Sequence, residues 1–135
     1  MTHSEFNPSA TEEMRFLQVW LLPETQNTKP AYDTIDLSNE DKSGKLKLFL
    51  SRDGRNGSMT TQADASIYAA TLEGGQEIST DLKAGRKGWV QVVNGSLNVN
   101  GIVLTKGDGL AIEGSGSLIF DQGRAAEILF FDLSQ

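Results

Sequence analysis

His3-Ser4-Glu5 places an imidazole and a carboxylate two residues apart. On an extended chain that spacing points both side chains the same way, so they can share one metal ion. Imidazole nitrogen and carboxylate oxygen are the donors that hold divalent iron, nickel, copper or manganese. His3 is the single histidine among 135 residues, and there is no cysteine. A working metal centre takes three or four protein donors in a rigid cup, so His3 and Glu5 are half of one. Two expectations compete. A twofold axis that joined two copies would supply two imidazoles and two carboxylates, enough for one ion. A frayed terminus would instead carry the pair as a remnant with no ion to hold.

Other polar clusters point to turns rather than to catalysis. Asp53-Gly54-Arg55-Asn56-Gly57 has oxygen donors and glycines but lacks the spacing of a calcium loop, and is expected to form a tight turn. Asp108 follows Gly107 after a β-rich run, which predicts a turn closed by a local side-chain bond. Arg86-Lys87 has the charge to attract an anion, with a solvated turn as the stronger expectation. Gly114-Ser115-Gly116 has no lysine after it and is no phosphate loop. Without any cysteine, neither a disulfide nor a thiolate metal site can be built. The net charge of -6 argues against a nucleic-acid partner, which needs clustered Lys and Arg. No apolar run approaches a membrane span and the first residues do not read as a signal peptide, so a cytoplasmic address is expected.

The elements that must position these residues are strands. With 38% apolar residues, 14 glycines and 3 prolines, the chain is too apolar for disorder and too glycine-punctuated for a helical protein. Turn signals recur at short intervals from Asp53-Gly54 to Gln122-Gly123, separated by runs rich in Val, Ile, Leu, Phe and Thr. Leu97 to Leu104, centred on Asn100-Gly101, predicts a hairpin closed by a type I′ turn. Trp89–Val93, Leu118–Phe120 and Glu127–Leu133 read as strands covered on both faces. Ser38 to Lys42 has capping residues but no apolar stripe after it, and is expected to be an exposed loop. Residues 1–13 are polar, whereas Met14 to Leu22 is strongly apolar and predicts a strand that either closes the chain's own barrel or docks on another copy.

These segments together resemble a known family. Phe16-Leu17-Gln18-Val19-Trp20, Pro30-Ala31-Tyr32, Ser51 to Ser58, Tyr68-Ala69-Ala70-Thr71-Leu72, Gly88-Trp89-Val90 through Gly95, Asn100-Gly101 and Gly107-Asp108 look like the C-terminal half of bacterial pirin-like proteins. Those are two-barrel cupins, and some are quercetin dioxygenases. The resemblance implies a metal in the N-terminal barrel, held by an early His-x-His and a later His-x-Glu with an Asn-containing stretch behind it. His3-Ser4-Glu5-Phe6-Asn7-Pro8-Ser9 matches that later segment, so the resemblance carries two metal ligands onto His3 and Glu5. In the general cupin pattern the second barrel would place its ligands within Asp81 to Gly88 and near Leu118; no histidine stands there, which implies a metal-free C-terminal barrel.

The expected fold is all-β: a single cupin-type jelly-roll β-barrel with little helix. Residues 1–13 form a polar arm, the remnant of a preceding cupin, and residues 14–135 form the barrel, with strand 14–22 open to exchange in a homodimer. Trp89 and Tyr68 are the candidates to line the barrel and take a small aromatic ligand, against the competing expectation that a Trp amid Val and Leu fills core or interface. The expected function is that of a non-catalytic domain without cofactor, acting in assembly or small-molecule binding. The alternative is a quercetinase-like dioxygenase with one Fe, Ni, Cu or Mn, its site completed by a second subunit or a separate barrel.

Overall fold

A computed structural model describes residues 3–135. Its elements in chain order are a single helical turn α1 (Asn39–Lys42), strand β1 (Lys47–Ser51), a 3-10 turn at Arg55–Gly57, and strands β2 (Met59–Thr60), β3 (Ala65–Leu72), β4 (Ile78–Leu82), β5 (Arg86–Val99), β6 (Ile102–Thr105), β7 (Gly109–Glu113) and β8 (Gly116–Ser134). The expected all-β jelly roll with little helix is what the chain forms.

Two long strands organise the sheet. β5 and β8 pair antiparallel from Arg86↔Ser134 to Val99↔Phe120. β7 and β6 then share the other edge of β5, and β3 and β4 share the other edge of β8. β1 follows β3, and β2 joins β1 in parallel. A straight strand of the length of β8 would span about 60 Å. Phe120 and Phe130 would then lie about 33 Å apart, yet their rings meet edge-on with centroids 5.9 Å apart. β8 therefore folds over on itself. The bend falls where Gln122 and Ala125 take positive φ and where the β5–β8 register shifts three times between Val92 and Asn98. Gly95 sits at the crossing: a Cβ there would stand 2.2 Å from the Ala125 carbonyl oxygen. Bulges of this kind turn one sheet into a wrapped barrel with an inside.

The inside is continuous and apolar. Val90, Val92, Leu97 and Val99 of β5 meet Leu118, Phe120, Ala126, Ile128 and Phe130 of β8, closed by Ala70, Leu72, Ile78 and Leu82 from the flanking strands. The Asn100-Gly101 hairpin forms as expected, with φ of 48° and 80° and Val99 facing Ile102.

Two expectations are corrected. Ser38 to Lys42 is not a plain loop: the Ser38 hydroxyl and the Asp41 carboxylate each accept the other's backbone N–H, a reciprocal capping box that holds one helical turn. Met14 to Leu22 is not a strand. A strand needs a free sheet edge, and this segment lies on the outer face of β5 and β8, whose backbone groups are already paired on both sides. Leu17 to Leu21 run over Trp89, Gln91, Leu129, Phe131 and Leu133. The arm is fastened further on, by the Glu24 N–H to the Gln62 carbonyl (3.0 Å) and an ion pair to Arg52 (3.1 Å). Apolar runs in β5 and β8 are thus continuous because one face fills the core while the other carries the chain's own arm.

Candidate functional site

The structure brings His3 and Glu5 together. His3 Nε2 lies 3.3 Å from Glu5 Oε1, and Gln18 Nε2 lies 3.4 Å from the same imidazole nitrogen. Both side chains are open to solvent, at 56% and 43% exposure. Phe6, Phe16 and Leu17 border the hollow beside Glu5. Among the described residues no cluster of three or more His, Cys, Asp or Glu has the spacing to hold a metal ion. An exposed pair of donors among apolar neighbours does not by itself fit a resident metal.

Tyr68 and Trp89 part company. Tyr68, Phe130 and Val90 are in register across β3, β8 and β5 and share the inner face. The Tyr68 ring stacks on Phe130 at 5.8 Å. Trp89 points outward, 39% exposed, beneath the arm. Its indole lies over Gly109, where a Cβ would come within 2.2 Å of the ring, so a glycine is what lets the indole lie flat on the sheet. The pair expected to line one barrel cavity therefore stands on opposite faces of the sheet.

A polar cleft opens at the end of the barrel where β3 and β5 begin and β8 ends. Its volume is 590 Å³, and its walls include Arg52, Asp53, Arg55, Asp64, Ser66, Tyr68, Thr80, Asp81, Lys83, Arg86 and Asp132. Arg86 holds it together. Its Nε donates to Asp132 Oδ1 at 2.6 Å and its Nη1 to Asp64 Oδ1 at 2.8 Å, while Nη2 reaches the carbonyls of Asp132 (3.1 Å) and Asp64 (3.4 Å). Burial works against the charge of Arg86, but the bonds to Asp132 and Asp64 outweigh it and raise the guanidinium above its ordinary pKa. Arg55 makes a second node, donating to Asp53 Oδ1 and to Ser66 Oγ, both at 2.9 Å. The Arg55 bond holds the Asp53 carboxyl below the usual carboxylate range. Asp53 is seated in turn by the turn expected there, through Ser51 Oγ, which also bonds Ser58 Oγ and the Gly54 N–H.

Arg86 thus corrects the expectation of a solvated turn: it is a partly buried ion-pair centre. Asp64, Arg86 and Asp132 are brought together by the β3–β8–β5 pairing across separations of 22 and 46 residues, so no local spacing could announce them. Asp108 behaves as expected, its carboxylate accepting from the Thr105 N–H (2.8 Å) and hydroxyl (3.0 Å).

Comparison with known proteins fits this architecture. Residues 48–133 match the quercetinase C-terminal cupin domain. The chain is 34% identical over 131 residues to the quercetin 2,3-dioxygenase of Escherichia coli strain K12, covering 97% of this chain and 55% of that protein. It is 26% identical over 131 residues to the pirin-like protein of Caulobacter vibrioides, covering 96% of this chain and 56% of that protein. The crystal structure of YhhW from Escherichia coli superposes with a TM-score of 0.75 at 30% identity, over 84% of this chain and 47% of that one. The same bacterial pirin has been crystallised in complex with nickel(II). The chain spans about half the length of the curated relatives it matches. With its bent β5–β8 pair, its inward apolar core and its match to that domain, the chain belongs to the quercetinase-like, pirin-like cupins and corresponds to their C-terminal cupin domain.

Proposed function

We propose that this chain is a non-catalytic, metal-free cupin domain whose role is assembly, and that it forms a homodimer through the arm face. One observation carries this reading: the arm leaves Phe16, Leu17, Trp20 and Leu22 at 60%, 53%, 85% and 90% exposure, beside Phe6 at 78%. Apolar side chains left exposed to that extent along one segment mark a surface that another body covers. A second copy offers the same face, and a twofold axis buries both at once. Size-exclusion chromatography with light scattering is expected to return twice the chain mass; a compact monomer at high concentration would contradict the dimer.

The adjacency of His3 and Glu5 favours a second reading, a quercetinase-like dioxygenase site completed in trans by a second subunit or a separately encoded barrel. A relative of this chain was crystallised with nickel(II). Elemental mass spectrometry after incubation with iron, nickel, copper or manganese separates the two readings. Assembly alone predicts no stoichiometric metal. A shared site predicts one ion per two chains, lost in His3→Ala.

A further inference from the structure

We propose that the polar cleft at the barrel end is a binding site for a neutral polyhydroxylated molecule of mono- or disaccharide size. This stands apart from the assembly reading, because the cleft uses none of the arm's exposed apolar residues.

Three features of the walls select the ligand. The first is charge balance. Arg52, Arg55, Lys83 and Arg86 are matched by Asp53, Asp64, Asp81 and Asp132. The two inner guanidiniums are already bonded to carboxylates, so most of their charge is answered before any ligand arrives.

The second is the pattern of uncommitted donors and acceptors. Arg55 uses two N–H groups, on Asp53 and Ser66, out of the five a guanidinium carries. Arg86 uses four of its five. Asp53, Asp64 and Asp132 are each engaged through Oδ1, which leaves Oδ2 as acceptor. Guanidinium donors therefore stand next to carboxylate acceptors, both held rigid by their mutual pairing. A hydroxyl donates and accepts at once, so a ring bearing several hydroxyls can bridge such neighbours without breaking the ion pairs.

The third is the inner wall. Tyr68 and Thr80 project from the core-facing sides of β3 and β4 and bring two further hydroxyls. Phe130 backs the Tyr68 ring, which supplies an apolar surface beside the polar groups. A volume of 590 Å³ lies within the usual range of small-molecule sites.

Saturation-transfer NMR on the full chain, with glucose, maltose and myo-inositol as probes and citrate and inorganic phosphate as counter-probes, tests the proposal. Transfer to the protons of at least one neutral probe is expected, with a preference over the anions in competition. Tyr68→Phe and Thr80→Val each remove one hydroxyl and spare every ion pair; each is expected to weaken binding by roughly three- to tenfold with an unchanged melting temperature. Transfer to none of the neutral probes overturns the proposal. So does transfer that both variants leave unchanged, or tighter binding of citrate or phosphate, which would make the cleft an anion site.

Discussion

At the scale of single residues, the fold depends on positions where a backbone has no room for a side chain. Gly95 has φ of 66°, and a Cβ there would meet the carbonyl oxygens of Arg124 and Ala125 at 2.3 and 2.2 Å. Gly95→Ala is expected to cost at least about 1–3 kcal/mol from the backbone conformation alone, with the clash adding to it, and chemical denaturation should show this as a lowered midpoint. Charge acts differently. Asp53 has its carboxyl pKa lowered first of all by the Arg55 bond, so its folded value lies below its unfolded one. A carboxylate of that kind adds stability above its unfolded pKa and loses it as pH falls through the folded pKa. The wild-type chain should therefore lose more stability between about pH 5 and pH 2 than Asp53→Asn does, as read from melting curves across that window. An equal loss in both would remove Asp53 from the acid response.

At the scale of elements, the outer face of β5 and β8 is a seat for the arm. Phe131 is only 8% exposed although it faces outward, and it borders the hollow that Leu17 to Leu21 also line. Leu21→Asp is expected to lift that segment and cost about 1–2 kcal/mol. In a Trp20→Phe background the emission of Trp89 should shift to the red as water reaches its indole. An unshifted emission would mean that the arm does not shield Trp89. The helical turn α1 is fastened from a different direction, by Lys42 Nζ to Glu127 Oε1 at 2.9 Å, so its capping box is joined to the sheet and does not stand alone.

At the scale of the molecule, the same arm turns its other side outward. Phe16, Trp20 and Leu22 are exposed and only Leu21 in the arm's apolar run is half-buried, so most of the apolar surface of that run is left uncovered by the chain. Replacing Phe16 and Trp20 together by Ser is expected to leave the melting temperature nearly unchanged and to convert the proposed dimer to monomer in light scattering. A dimer that survives both changes would place the interface elsewhere on the barrel.

Local spacing along the chain was enough for the strand-rich class, the Asn100-Gly101 hairpin, the Asp108 turn and the cupin resemblance. Each rests on neighbours a few residues apart, where φ preferences and side-chain spacing act before any tertiary contact exists. Met14 to Leu22 shows the limit. Its apolar residues were legible, but whether they join a sheet edge or lie on a sheet face depends on which backbone groups remain free once β5 and β8 are paired. Trp89 and Tyr68 show it again, since the face each one takes follows from strand register and not from residue type. The cleft exists only in the folded chain, because Asp64, Arg86 and Asp132 meet only after three strands have come into register. Charges so far apart along the chain carry no local signal, and it is the pairing of β3, β8 and β5 that brings them together.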